Sequence, residues 1–269
     1  AMNVDKRIIG LVGSPNKDGR THQLVSAALS GCDQAGCQTE LIQMSDHVVS
    51  ACEDCLPWVC KDALECSFED DEFEFLCDKI LNCSGMVFGT PVYWWDTSGM
   101  VKYLILKMFR LFAWTAPLNG LPALGIGIAG GTGNGLVSGV RPVYHFFQMM
   151  RMRAIEPVPA TRFNFDECLS RSKELGAELA RMSRDRTRFK GIDELMDLYD
   201  SLPYLGLSRS AERRLLADLV TLSLPEQSRA DAATGLAKAD VLAAGGRSLE
   251  SIRETTKVYD EGMKKYSES

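Results

Sequence analysis

Ile8, Ile9, Leu11 and Val12 form a nearly continuous apolar run, the pattern of a strand buried on both faces of a parallel sheet. It breaks at residues 13–19, GSPNKDG, turn formers in succession that extend no strand. Leu24, Val25, Ala28 and Leu29 then recur at helical spacing, so a helix starts near Arg20 or Thr21. Gly36 stops it, and residues 37–44, CQTELIQM, supply a second strand. The acidic run Glu69, Asp70, Asp71, Glu72 and Glu74 precedes Phe73, Leu76, Ile80 and Leu81. Acids stabilise the first turn of a helix, so this run reads as a helix start and not as a metal site.

A third strand, GMVFGT at 85–90, ends in Pro91, Val92, Tyr93, Trp94, Trp95 and Asp96. A helix over 98–112 and a turn at 117–120 lead to a fourth strand over 122–129. The loop GGTGNG at 130–135 lies behind it, where backbone must approach something closely. A helix over 136–153, a short fifth strand AIEPVPA at 154–160 and a helix from near Asp166 toward Arg186 complete the pattern. Five strands alternating with helices predict a doubly wound α/β sheet. In such sheets a ligand lies beyond the carboxyl ends of the strands, and the loops after strands one, three and four all reach that edge. From about Gly191 the pattern becomes helical, with amphipathic stretches at 211–224 and 248–266. The expected division is a domain over 1–190 and a helical extension over 191–269, read as a cover over the core in preference to a subunit contact. No motif in the extension carries chemistry.

A helix beginning directly after a buried strand offers free N–H groups and a positive dipole end to an anion. Ser14 and Thr21 add hydroxyls there, and Lys17 and Arg20 add charge. The spacing matches neither GxxxxGK[ST] nor GxGxxG, and a hydroxyl-rich loop suits a terminal monophosphate better than a pyrophosphate. An ordinary turn without a ligand is the alternative. Two tryptophans and a tyrosine in one loop either bury against a partner subunit or line a planar ligand.

The chain has 269 residues, enough for a full core, and a formal charge of -6, so composition forces no basic face for nucleic acid. No apolar stretch is long enough to span a bilayer, and residues 1–7 contain no apolar leader; the expected setting is cytoplasmic and reducing. Nine cysteines point there to metal or redox chemistry before disulfides. Cys52, Cys55, Cys60 and Cys66 crowd one loop at 51–66, whereas Cys32, Cys37, Cys77, Cys83 and Cys168 are scattered and read as core or surface residues. His22, His47 and His145 show no metal-ligand spacing.

GSPNKDGRT, the four-cysteine segment, the acidic helix start and GTPVYWWD together resemble the NADPH-dependent FMN reductases of the flavodoxin-like class, and within them the iron-sulfur flavoproteins. The resemblance covers about the first two-thirds of the chain. It implies a flavodoxin-like sheet of order 2-1-3-4-5 with FMN at its edge. By position, Ser14, Asn16, Gly19, Arg20 and Thr21 hold the FMN phosphate. Arg20 stands where the family usually has asparagine, and a guanidinium also binds phosphate. Thr90, Pro91, Val92, Tyr93 and Trp94 run along the isoalloxazine ring, and Ala129, Gly130, Gly131, Thr132 and Gly133 approach its other side.

The iron-sulfur relatives bind a [4Fe-4S] cluster through CxxCxxCxxxxxC, whereas here the spacing is Cys52-x2-Cys55-x4-Cys60-x5-Cys66. An irregular loop supplies four thiolates at several spacings; zinc and free thiols are the alternatives. The resemblance implies an oxidoreductase in which a cluster takes electrons singly from a ferredoxin-like donor and passes them to FMN. Without a cluster, NAD(P)H delivers hydride to the flavin, which reduces a quinone or free flavin. A rival of another class is a non-catalytic electron-transfer module. None of these needs a protein acid or base, so no catalytic residue is assigned. Relatives form homodimers or homotetramers, and Trp94 and Trp95 suit such a contact.

Overall fold

The structure, a computed structural model, describes residues 7–268, the side chain of Glu268 excepted; the segment 1–6, where no leader is read, lies outside the described residues. Strand β1 (Arg7–Val12) pairs in parallel with β2 (Gln38–Gln43) on one side and β3 (Gly85–Pro91) on the other, and β4 (Pro122–Ala129) follows β3. The expected fifth strand is two pieces, β5 (Arg153–Ala154) and β6 (Val158–Thr161), both parallel to β4. Pro157 has no N–H to give the ladder, so the strand breaks around it, while Pro159 is tolerated at the sheet's edge. The order is β2-β1-β3-β4-β5, with β6 also on β4: a flavodoxin-like doubly wound sheet.

Side-chain alternation along β1 splits the core. Ile8 and Val12 pack under α1 (Arg20–Gln34) and α6 (Phe165–Met182). Ile9 and Leu11 pack under α3 (Asp71–Asn82), α4 (Gly99–Phe112) and α5 (Arg141–Met149). On the first face the helix backbones touch. A Cβ at Gly31 lies 1.9 Å from the Lys173 carbonyl oxygen, and one at Gly176 lies 1.9 Å from that of Ala28, so only glycine permits this approach. Helix α5 is shorter than the expected 136–153: residues 136–140 are turn, and Pro142 stands in the helix's first turn, where its missing N–H costs nothing.

The cysteine segment, expected to be loop throughout, contains one helical turn, α2 (Cys60–Ala63). Its neck is closed by a cluster around the buried side chains of Lys107 and Asp70. The Ser50 amide and hydroxyl donate to Asp70 Oδ2 at 3.0 and 2.7 Å, and Lys107 Nζ donates to Ser50 Oγ at 2.7 Å and to Asp70. One turn along α4, Arg110 pairs with Asp54 at 2.7 Å, donates to the Cys55 carbonyl and lies over the Trp58 ring.

Beyond α6 come α7 (Ile192–Ser201), α8 (Arg209–Val220), α9 (Glu226–Ala244) and α10 (Ser248–Glu268). Leu216 and Val220 of α8, with Tyr259 and Met263 of α10, pack on Ala129, Leu136 and Val137 behind β4. No helix among the described residues is long and apolar enough to cross a membrane.

Burial raises the Asp70 carboxyl, but the hydrogen bonds from Lys107, Ser50 and the Phe73 amide outweigh it and hold it at about 2, below its ordinary 3.8. A lowered folded value means stability present above pH 3.8 and lost as pH falls toward 2. Asp70→Asn strands the Lys107 ammonium, only 2% exposed, and lowers stability by about 3–5 kcal/mol. Urea unfolding at pH 7 measures it, and the deficit shrinks as the wild type is acidified toward pH 2.

Candidate functional site

Three loops meet at the carboxyl edge of β1, β3 and β4, and backbone hydrogen bonds fix their spacing. The Gly13 amide donates to the Gly89 carbonyl at 2.8 Å and the Val92 amide to that of Ile128 at 2.9 Å. Ser98 Oγ, at the N-cap of α4, donates to the Gly13 carbonyl at 2.6 Å. Arg20 Nη1 reaches across to the Gly130 carbonyl at 3.3 Å, so the first and third loops touch directly.

In the first loop, Ser14 is 6% and Thr21 3% exposed, whereas Asn16 and Arg20 face solvent. Ser14 Oγ accepts the Asn16 amide at 3.2 Å, and the Asn16 side-chain oxygen accepts the Asp18 amide at 3.2 Å, an Asx turn that shapes the loop. Gly19 precedes α1, and no side chain caps the helix. Its first amides therefore face the open edge beside two buried hydroxyls.

In the second loop Tyr93 and Asp96 exchange both backbone hydrogen bonds, at 2.9 and 3.0 Å, around Trp94 and Trp95. Both tryptophans sit at positive φ, 54° and 60°, a conformation that costs a bulky residue roughly 1–3 kcal/mol. Their rings meet edge to face at 5.5 Å, and Trp94 is 89% exposed. Folding alone does not call for a strained, solvent-facing aromatic pair; a planar ligand or a second surface does. Thr90 is fully buried, its hydroxyl bonded to Thr97 and to the Ser98 amide; it supports the hairpin from beneath, alongside buried Pro91.

In the third loop Ala129 and Gly133 are buried, while Gly131 and Thr132 are exposed. With Val92, Trp94 and Trp95 they line a cleft of about 160 Å³. The helical extension holds this loop. Tyr259 OH donates to the Thr132 carbonyl at 2.8 Å. Glu212 accepts from the Val137 and Ser138 amides at 2.9 and 3.0 Å and from the Ser138 hydroxyl at 2.6 Å. Ser98, Thr97, Glu212 and Tyr259 are absent from the residues read out of the sequence. Only Ser98 carried a signal, as the residue before an apolar-periodic run.

The four loop cysteines are not brought together. Cys60 is buried, with its thiol toward the Arg110 carbonyl at 3.8 Å, and Cys52, Cys55 and Cys66 are half-buried. Among the described residues no three His, Cys, Asp or Glu side chains converge to hold a metal. Burial pushes the thiols of Cys32, Cys77, Cys83 and Cys168 up to about 12, the behaviour of inert core residues.

The sequence model of the NADPH-dependent FMN reductases matches residues 6–163. Two iron-sulfur flavoproteins of Methanocaldococcus jannaschii are similar. One is 30% identical over 149 residues, 54% of this chain and 74% of that protein. The other is 26% identical over 189 residues, 70% of this chain and 87% of that protein. Among solved structures, a flavone reductase aligns with a TM-score of 0.54 at 16% identity, over 68% of this chain and 66% of that one, a likeness of fold.

Glu212→Ala removes the acceptor for two backbone amides, one of them buried, and should lower stability by on the order of 2–4 kcal/mol. Urea unfolding reads the loss, and Glu212→Gln, which keeps an acceptor oxygen, should recover part of it.

Proposed function

The chain belongs to the NADPH-dependent FMN reductase family, an FMN-dependent oxidoreductase family, and from that premise we propose that FMN binds across the three loops. Its phosphate lies at the start of α1, and its ring lies between the Trp94–Trp95 hairpin and residues 129–133. The observation that carries this reading is the uncapped N-terminus of α1 flanked by buried Ser14 and Thr21. The opposite loop fits a ring: a Cβ at Gly131 would meet nothing within 4 Å, and one at Gly130 would meet Arg20 Nη1 at 3.4 Å, so its backbone lies open beside a cation.

Bound FMN would supply hydride acceptance and electron release. The chain's own residues bind and orient. Ser14, Thr21 and the amides of Arg20 and Thr21 donate to the phosphate with Asn16 and Gly19 beside them, and Arg20 offsets its charge while bridging to Gly130. Val92, Tyr93, Trp94 and Trp95 exclude water from one side of the ring, and Gly131, Thr132 and Gly133 approach the other. No acid or base is assigned. A reduced nicotinamide is the donor, and a quinone or flavin the acceptor. Residues 1–190 form the binding unit and 191–269 its cover, and a second copy of the chain shields Trp94 in a homodimer or homotetramer.

A second reading adds a [4Fe-4S] cluster on Cys52, Cys55, Cys60 and Cys66, fed by a ferredoxin-like donor. Four free thiols in one loop and the relatives' iron-sulfur character favour it. As placed, the four side chains do not fit a cluster, and no electron path is drawn through them.

FMN titration of flavin-stripped protein tests the first reading. The double variant Ser14→Ala/Thr21→Ala should bind roughly a hundred- to ten-thousandfold more weakly, because each of the two hydrogen bonds to a charged group contributes about 1.5–3 kcal/mol; equal affinity removes the phosphate assignment. Anaerobic reconstitution with iron and sulfide tests the second. About four irons per chain, lost in Cys55→Ser with FMN retained, support the cluster, and no iron uptake removes it.

A further inference from the structure

A second cavity, of about 250 Å³, adjoins the cleft at the three-loop edge and shares Trp95 and Asn134 with it as walls. Its far side is helix α8, which contributes Arg209, Glu212 and Arg213. This helix lies outside residues 6–163, the part of the chain that matches the family. Glu212 is 7% exposed and fastened to Val137 and Ser138 by three hydrogen bonds, so α8 is held rigidly against the loop and its carboxylate oxygens are already engaged. The neighbouring carboxylate Asp240 is taken by Arg214, which grips both its oxygens at 2.8 and 3.0 Å. No acid pairs with Arg209 or Arg213 among the described residues.

Two guanidinium groups four residues apart on one helix repel each other, and one carboxylate, Glu212, lies between them in the cavity lining, held by neutral donors, so that one positive charge is left over. Both arginines line one cavity. A guanidinium fork matches a phosphate monoester, and two forks match its double charge. A ligand whose planar end meets the flavin held in the first cleft and whose other end carries a phosphate monoester would reach into this second cavity. Resting on the proposed FMN site, we propose that Arg209 and Arg213 bind the 2′-phosphate of the reduced nicotinamide donor, so that the helical extension selects NADPH over NADH.

Calorimetric titration of the flavin-loaded protein with 2′,5′-ADP and with 5′-AMP tests this without turnover. The 2′-phosphate should tighten binding at least tenfold in the wild type, and Arg209→Gln/Arg213→Gln should erase that difference. Arg214→Gln, on the same helix but committed to Asp240, should retain it and so controls for damage to α8. In steady state, the ratio of kcat/KM for NADPH to that for NADH should fall at least tenfold in the double variant, through KM. Equal affinity for the two nucleotides in the wild type, or an undiminished difference in the double variant, overturns the proposal. So does a double variant that loses discrimination between FMN and riboflavin as acceptors while its NADPH preference stands. Wild type that takes up no FMN overturns the underlying site instead, whereas flavin-loaded protein indifferent to the 2′-phosphate overturns only the role of the two arginines.

Discussion

The hydrogen bond from the Gly13 amide to the Gly89 carbonyl is the constraint on which the candidate site depends. It continues the β1–β3 pairing one step past the strand, so the first loop leaves the sheet at a set height above its neighbour. A Cβ at Gly13 would lie 2.1 Å from Val101 Cγ2, so α4 is packed against the same turn, and Ser98 ties the helix to it through the Gly13 carbonyl. One glycine joins a strand, a helix and a loop, and α1 begins where that junction aims it. The open amides of α1, the tryptophan hairpin and the glycine loop face one another because the sheet beneath them is rigid and parallel.

Helix α4 extends this organisation to the other unusual segment of the chain. Its N-cap holds the phosphate-type loop, while Lys107 and Arg110 further along hold the neck and the interior of the cysteine loop. A buried ammonium satisfied by one carboxylate and one hydroxyl is costly to disrupt, so residues 50 and 70 stay together whatever the segment between them does. Anchored ends with an irregular interior are what a ligand-binding loop needs if its side chains must rearrange around a guest.

Much of this architecture was legible in the sequence. The apolar runs at Ile8–Val12, 85–90 and 122–129 are long and bounded by glycine or proline, and each is a strand. The odd loops behind them do meet at one edge. The interrupted fifth strand was not legible as such, because Pro157 and Pro159 look alike in sequence and only the sheet's edge tells which one breaks the ladder. Helix α9 escaped attention because its buried stripe, Ala232, Leu236, Ala239 and Leu242, is half alanine and contrasts little with its polar face. Glu212 escaped for a different reason: an acid in an amphipathic helix reads as solvated, and its partners at Val137 and Ser138 lie some seventy residues away in the chain. The cysteines were legible as a cluster in sequence, but side-chain direction, which spacing does not encode, leaves them apart.

The central claim is that three loops, distant in sequence, form one flavin site. Hydrogen-deuterium exchange on the protein with and without FMN tests it directly, because each loop reports separately. The account predicts slower exchange on FMN addition in all three segments, 13–21, 92–97 and 129–135, with the cysteine loop at 51–66 unaffected. Protection confined to one segment, or absent from all three while FMN is bound, would contradict it.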